Sequence, residues 1–266
     1  FNGEIYEFSA LMDELRAAGH RFETRCDSEV IVHAWEEWGE ACLDRLHGMF
    51  AFAIWDRNRQ ALFMARDRFG KKPLYYSILN GRQVVFASEL KGVMRHPGVS
   101  REIDPTAVED YMTFGYVPDP KTIFKHVRKL PPAHFLSLRR GEALAEPTEY
   151  WKITFDRPES RADSAEIISD LRQGLRDATA KRMIADVPLG AFLSGGVDSS
   201  AVVSMMANIS EDPVNTCSIS FGDPAYNESQ YAQQLATQLK TNHHVEQVDS
   251  NDFALVDQIH KTLKIH

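Results

Sequence analysis

The sequence predicts two regions of different architecture: an α+β layered sandwich, then an α/β doubly wound parallel sheet. Three observations predict it. Up to about residue 92, short alternating or apolar runs typical of strands are separated by charged or Gly/Asn turns, with a few helices and no βαβ alternation. From residue 163 onward, strand-like and helical patterns alternate as βαβαβ. At the end of the first strand of that series, Ser194-Gly195-Gly196-Val197-Asp198-Ser199-Ser200 leads directly into a helical pattern.

Taken in order, Asn2-Gly3-Glu4-Ile5-Tyr6 reads as a polar turn followed by an apolar pair. Phe8, Leu11, Leu15 and Ala18 recur at helical spacing, with Gly19 as a stop. A second helix runs from about Ser28 to Trp38, with Ile31, Ala34, Trp35 and Trp38 on its apolar side. Strands follow at Phe50–Trp55, Leu62–Ala65, Leu74–Ser77 and Val84–Ala87. Arg66-Asp67 reads as a buried ion pair at a strand end, and Tyr75-Tyr76 as core aromatics. Asp104-Pro105 caps a further helix, and a Pro-rich stretch with two polar clusters, Arg139–Glu149 and Asp156–Ser164, marks the domain boundary. The expected domains are 1–148 and 149–266.

In the second region, Asp163-Ser164-Ala165-Glu166 reads as a capping box, with Ile167, Leu171 and Leu175 on one helix face. A buried strand at 189–193, a helix at 199–208, a strand at 214–221, a helix at 228–239 and a strand at 244–248 follow. Val202, Val203, Met205 and Met206 are the apolar positions of the first of these helices, and Asn227-Glu228 caps the second. His243-His244 are adjacent on a strand and so point to opposite faces, which argues against a shared metal.

Composition narrows the field. With 266 residues, 43% hydrophobic and 26% charged, the chain is ordinary globular material. A net charge of −8 argues against a general nucleic-acid binder. Cys26, Cys42 and Cys217 are odd in number and widely spaced, giving neither a disulfide framework nor a CxxC metal pattern. They suit a reducing cytoplasm. The apolar run Met49–Trp55 is too short to span a bilayer. The start at Phe1, inside a strand-and-turn pattern, suggests a fragment.

The Ser194–Ser200 loop offers backbone N–H groups and hydroxyls at a helix N-terminus, a setting for a phosphate. Gly195 and Gly196 allow close backbone approach. No Gly-Lys-Ser/Thr follows, so it is no Walker loop, and its glycine spacing is not that of the dinucleotide fingerprint. It resembles the pyrophosphate-binding loop of ATP pyrophosphatases, which cleave ATP between the α- and β-phosphates. The plain alternative is a capped strand-to-helix turn.

Four further strings accompany it: Cys26-Asp27-Ser28-Glu29-Val30-Ile31, Gly48–Asp56, Ala65-Arg66-Asp67-Arg68-Phe69-Gly70 continuing to Tyr76, and Phe86-Ala87-Ser88-Glu89-Leu90-Lys91. With Asn2-Gly3-Glu4 and in this order, they resemble the glutamine-hydrolysing asparagine synthetase family from residue 2 to about residue 250. The resemblance implies a class II glutaminase domain of the N-terminal-nucleophile αββα type, then an adenine-nucleotide-hydrolase-like synthetase domain. Ammonia released from glutamine would attack an acyl-adenylate made from ATP and a carboxylate. The usual carboxylate in the family is aspartate, giving asparagine, AMP and pyrophosphate.

Carried over by position, the resemblance implies that the Asn2 side chain and the Gly3 N–H form an oxyanion hole. Glu4 and Asp27 would hold the α-amino group of glutamine, an ammonium suited to carboxylates. For Asp27 the plain alternative is a helix N-cap, and for Asn2-Gly3 a hairpin turn. Ser194, Gly195, Gly196, Asp198, Ser199 and Ser200 would cradle the pyrophosphate of ATP, with Asp198 helping to hold Mg²⁺. Leu193 and Ile219 match positions that line the adenine pocket, with strand core as the alternative. The family nucleophile is an N-terminal cysteine whose own amine serves as base. Residue 1 here is Phe and all three cysteines are internal, Cys26 being read as a helix-start bystander. The family also continues with an acidic Asp-Glu-Pro segment and a second glycine-rich acidic loop that complete the ATP and acceptor sites. The isolated chain, incomplete at both ends, is therefore expected to be inactive in both half-reactions.

Two other readings stay open: a non-catalytic glutamine- or ATP-binding homologue, and amidation of another carboxylate in envelope polysaccharide synthesis. The wording around His33–Gly39 resembles a bacterial exopolysaccharide-associated subgroup. An ATP pyrophosphatase without amidotransferase activity is disfavoured by Asn2-Gly3-Glu4 with Asp27. A cytoplasmic enzyme is expected, with a homodimer left open.

Overall fold

The computed structural model describes residues 1–81, 83–142, 145–155, 163–185, 187–222 and 227–248. Most of the polar cluster Asp156–Ser164, and the last stretch 261–266, lie outside them. The chain divides into two compact units, Phe1–Pro158 and Glu159–His266.

The first unit contains two antiparallel sheets. The larger joins β1 (Asn2–Ile5), β2 (Gly48–Asp56), β3 (Ala61–Arg66), β7 (His134–Arg139) and β8 (Thr148–Glu149) in the order β1-β2-β3-β7-β8. The smaller has the order β5-β4-β6, from β4 (Tyr75–Leu79), β5 (Gln83–Ala87) and β6 (Arg128–Lys129). Helices α1 (Phe8–Ala17), α2 (Asp27–Trp38) and α3 (Cys42–Arg45) lie between β1 and β2 in sequence. Helices α4 (Leu90–Val93) and α5 (Pro105–Phe114) follow the smaller sheet.

Strand alternation explains the layering. Phe50 and Phe52 of β2, with Phe63 and Ala65 of β3, pack against Leu15, Ile31 and Trp35 of the helices. The intervening Ala51 and Met64 face the other way, onto Leu74, Tyr76 and Leu130 beside the smaller sheet. Tyr75 and Val85, on the far face of that sheet, pack with Val93 and Val127. The β4–β5 turn places Asn80 and Gly81 at φ 50° and 63°, the left-handed region that these residue types accept. At α5, Asp104 accepts a hydrogen bond from Thr106 N–H (2.9 Å), Pro105 fills the first helical position, and Gly115 ends the helix at φ 77°.

Arg66 and Asp67 are both buried, but they do not pair with each other. Arg66 Nη1 bonds Asp119 Oδ2 at 2.7 Å, while its remaining N–H groups reach the carbonyls of Lys72, Gly70 and Leu130. Asp67 instead accepts from the backbone N–H groups of Phe50, Phe69, Lys71 and Lys72. Successive residues leaving a strand point apart, so each finds distant partners.

The second unit begins with α6 (Ser164–Ala180) and continues β9 (Gly190–Phe192), α7 (Val197–Ile209), β10 (Asn215–Phe221), α8 (Ser229–Leu239) and β11 (Asn242–Val248). The three strands form a parallel sheet in the order β11-β10-β9, so the expected βαβαβ run is present. Leu193, Val203, Ala232 and Ala236 bury the face that meets α7 and α8. Asn227 Oδ1 accepts from Ser229 N–H (3.0 Å) at the start of α8.

Three local expectations are corrected. The run 189–193 is not buried throughout: Phe192 is 82% exposed, because among the described residues β9 stands at the edge of its sheet with helices on one face only. Val202 is exposed as well, leaving Val203 and Met206 as the buried positions of α7. Helix α6 starts where expected, but Asp163 makes no side-chain cap, and Ile167 and Leu171 lie exposed rather than on a packed face. No described helix is long and apolar enough to cross a membrane.

Candidate functional site

In the first unit, β1 pairs antiparallel with β2, Asn2 opposite Ala51 and Gly3 opposite Phe50. The backbones are so close at Gly3 (φ +146°) that a Cβ there would stand 2.0 Å from the Met49 carbonyl oxygen, so only glycine fits. Ile5 anchors the strand in the core, while Asn2 and Gly3 are half-buried and Glu4 is exposed.

Asp27 opens α2, and Cys26 rather than Asp27 occupies the N-cap position. Asp27 Oδ2 accepts a hydrogen bond from the Ile5 N–H at 3.0 Å. The carboxylate therefore reaches across 22 positions of sequence to β1 instead of capping its own helix. This bond brings Asn2-Gly3-Glu4 and Asp27 into one corner, where the N-terminal end of α2 also favours negative charge. Cys26 Sγ lies 3.4 Å from Asp27 Oδ1 and 3.0 Å from Ser28 Oγ, so the thiol is a hydrogen-bonding neighbour of Asp27.

Two positions further on, Glu29 accepts from the backbone N–H groups of Glu23 and Thr24 (both 2.7 Å) and from the Thr24 hydroxyl. Those bonds, the hydroxyl's first, hold its carboxyl down to about 2. They fasten the turn that leads into Asp27. A cavity of roughly 320 Å³ lined by Trp35, Trp38, Arg59 and Arg139 touches none of the four expected glutamine-binding residues.

In the second unit, Ser194–Ser200 closes on itself. Ser194 N–H donates to Ser199 Oγ (3.3 Å), the two hydroxyls lie 3.0 Å apart, and Gly196 N–H donates to Ser194 Oγ (3.3 Å). Ser199 Oγ also donates to the Gly196 carbonyl (3.2 Å). Gly195, at φ +85°, has no space for a side chain: a Cβ would come within 2.8 Å of Tyr231 Cβ and 2.9 Å of Ala232 N. Gly196 is the N-cap of α7 and Asp198 sits exposed in its first turn.

Asp198 belongs to no cluster of three metal-ligand side chains among the described residues. One carboxylate beside a glycine- and serine-rich turn at a helix N-terminus is a donor set that Mg²⁺ accepts, since that ion takes few protein ligands and completes its shell with phosphate and water. Leu193 and Ile219 do not share a surface. Leu193 is buried under α7 and α8, whereas the register Cys217 opposite Phe192 puts Ile219, 54% exposed, on the opposite face.

The sequence profile of the glutamine amidotransferase domain matches residues 1–151, and that of asparagine synthase matches residues 170–265. The chain belongs to the glutamine-hydrolysing asparagine synthetase family. Among members of this family, asparagine synthetase [glutamine-hydrolyzing] 3 of Bacillus subtilis is 37% identical over 226 residues, covering 83% of this chain and 36% of that protein. Asparagine synthetase [glutamine-hydrolyzing] 1 of the same organism is 38% identical over 239 residues, covering 90% and 37%. Amidase chyE of Penicillium rubens is 35% identical over 210 residues, covering 78% and 30%. The chain thus spans little more than a third of the length of the two synthetase relatives.

One grouping escaped the sequence reading: His20, His33 and Glu36 converge on a single point. The only local signal was the three-residue spacing of His33 and Glu36 on α2, because His20 arrives from a different element.

Proposed function

We propose that this chain carries the glutamine site and the pyrophosphate loop of a glutamine-dependent carbon–nitrogen ligase. On this reading the first unit is the αββα glutaminase. The Asn2 amide and the Gly3 N–H stabilise the oxyanion that forms when the amide of glutamine is attacked. Glu4 and Asp27 hold the substrate ammonium. The attacking thiol and its amine base come from the N-terminal cysteine that this chemistry requires.

In the second unit, Ser194–Ser200 receives the pyrophosphate of ATP at the N-terminus of α7, Asp198 assists Mg²⁺, and Ile219 offers apolar surface to adenine on the sheet face opposite Leu193. Mg²⁺ would neutralise phosphate charge. The acceptor is a carboxylate, aspartate first among them, giving asparagine, AMP and pyrophosphate. The observation that supports this most is the Asp27–Ile5 bond, which joins the two separate sequence strings of the glutamine site.

Two experiments test it. Calorimetric titration with glutamine should show binding by the wild-type chain and at least about tenfold weaker binding by Asp27→Ala, about the loss of one charge-assisted bond. In a longer form of the protein that begins with the cysteine this chemistry requires, Asn2→Ala should slow ammonia release from glutamine about 10²-fold or more. Equal glutamine affinity in wild type and Asp27→Ala would sink the proposed site.

A further inference from the structure

Helix α1 ends at Ala17, and Gly19 (φ +104°) turns the chain so that His20 lies against α2. His20 N–H donates to the Leu15 carbonyl (3.0 Å), which fixes the turn. On α2, His33 and Glu36 are three residues apart and so share a face. His20 Nδ1 lies 3.2 Å from His33 Nδ1, and His33 Nδ1 lies 2.8 Å from Glu36 Oε2. The third side of the triangle, His20 Nδ1 to Glu36 Oε2, is 3.6 Å.

These spacings have a specific meaning. A divalent transition cation binds nitrogen and oxygen at about 2.0–2.1 Å, which sets neighbouring ligands roughly 3.0–3.4 Å apart. The observed sides, 2.8, 3.2 and 3.6 Å, are centred on that span, so small side-chain shifts would bring all three atoms onto one cation. Without a cation, two ring nitrogens face each other at 3.2 Å and His33 Nδ1 is shared between His20 Nδ1 and Glu36 Oε2.

The outer nitrogens add an independent observation. His20 Nε2 lies 3.0 Å from Glu37 Oε2, and His33 Nε2 lies 3.6 Å from Glu29 Oε1. The Glu37 carboxylate behind His20 is the arrangement that fixes the tautomer leaving Nδ1 free to ligate and raises its basicity, while Glu29 stands at ion-pair range behind His33. Phe22 packs edge-on against the His33 ring (4.5 Å), limiting its rotation. Both histidine side chains are only 15–16% exposed, whereas Glu36 is 54% exposed, so the remaining coordination position opens to solvent.

We propose that His20 Nδ1, His33 Nδ1 and Glu36 Oε2 form a binding site for a divalent transition cation of the Zn²⁺ class, with water as the fourth ligand. The two-nitrogen, one-oxygen donor set selects such a cation over Mg²⁺ or Ca²⁺. His33 stands six residues beyond Asp27 on α2, about 9 Å along the helix axis, so this site is distinct from the glutamine corner and does not depend on that reading. The cation staples the α1–α2 turn, whose far end is already held by Glu29 and which runs directly into Asp27.

The test is equilibrium dialysis of the metal-free full chain against Zn²⁺, with Co²⁺ absorption spectra to report the ligands. One equivalent should bind and raise the melting temperature. Glu36→Gln, an exposed change that leaves the fold intact, should weaken binding about tenfold or more. His20→Ala and His33→Ala should each weaken it about 100-fold, and Glu37→Gln about tenfold. Cys26→Ser should leave stoichiometry and affinity unchanged, with no sulfur-to-cobalt charge-transfer band in the wild type. Retained stoichiometry in the His20→Ala/His33→Ala double variant, loss of binding in Cys26→Ser, or no binding to the wild type would each overturn the proposal.

Discussion

The two candidate sites are built in opposite ways. In the first unit, the corner at Asn2, Gly3 and Asp27 is fixed by distant partners: Asp27 reaches Ile5, Gly3 lies against β2, and the neighbouring Asp67 gathers the Phe50 N–H from another strand. In the second unit, the side-chain bonds within Ser194–Ser200 span five residues or fewer. The first site is a product of its core, whereas the second closes through bonds of its own strand-to-helix junction, with Gly195 packed against α8. Damage to the sheet should therefore cost the first site most, whereas the loop should answer chiefly to changes at its own glycines and serines.

The largest expected effect is Gly3→Ala. The added Cβ meets backbone that cannot yield, in a region of φ that resists side chains, so a loss of about 4–5 kcal/mol or outright misfolding is expected in urea unfolding. Asp67→Ala follows, at about 3–5 kcal/mol, because it strips a buried carboxylate from four backbone N–H groups. Gly195→Ala should cost less, about 2–3 kcal/mol, since its contacts are at 2.8–2.9 Å. A Gly195→Ala loss as large as that of Gly3→Ala would break the contrast between core-fixed and junction-fixed sites.

Smaller effects sharpen the same contrast. Burial pushes the Cys42 thiol up to about 12, while Cys26 and Cys217 are exposed, one in each unit. Alkylation at pH 8 should therefore modify two thiols in the native chain and the third only after unfolding, read by mass spectrometry. Native modification of all three would show that the first unit opens more readily than its core implies.

The smallest effect concerns Glu29. Its folded carboxyl titrates at about 2, below the ordinary 4.5, so its contribution to stability is present above about 4.5 and fades as pH falls towards 2. Melting temperatures of wild type and Glu29→Gln should converge across that acid window. A constant gap between them would mean that the Thr24 turn is held by something else.

Much of the chain was legible because its signals are local. Asp104-Pro105 with Gly115 delimited α5, and the spacing of Ile31, Ala34 and Trp35 defined the buried face of α2. The βαβαβ run was readable from alternating patterns, and the Ser194–Ser200 loop from composition alone. What stayed hidden was long-range pairing. Arg66 and Asp67 are adjacent and oppositely charged, yet Arg66 pairs 53 residues away with Asp119. Phe192 looked buried because a short apolar run does not reveal whether both faces of its sheet are covered. The meeting of His20 and His33 depends on the angle of a turn, which no periodicity encodes.

The Asp27–Ile5 hydrogen bond has one further consequence. A carboxylate that grips a peptide N–H has less electron density to offer elsewhere, so whatever polarises its second oxygen is felt at that amide. The Ile5 N–H is thus a native reporter: its proton chemical shift and hydrogen-exchange rate should track occupancy of the corner around Asp27, with no label added to the protein.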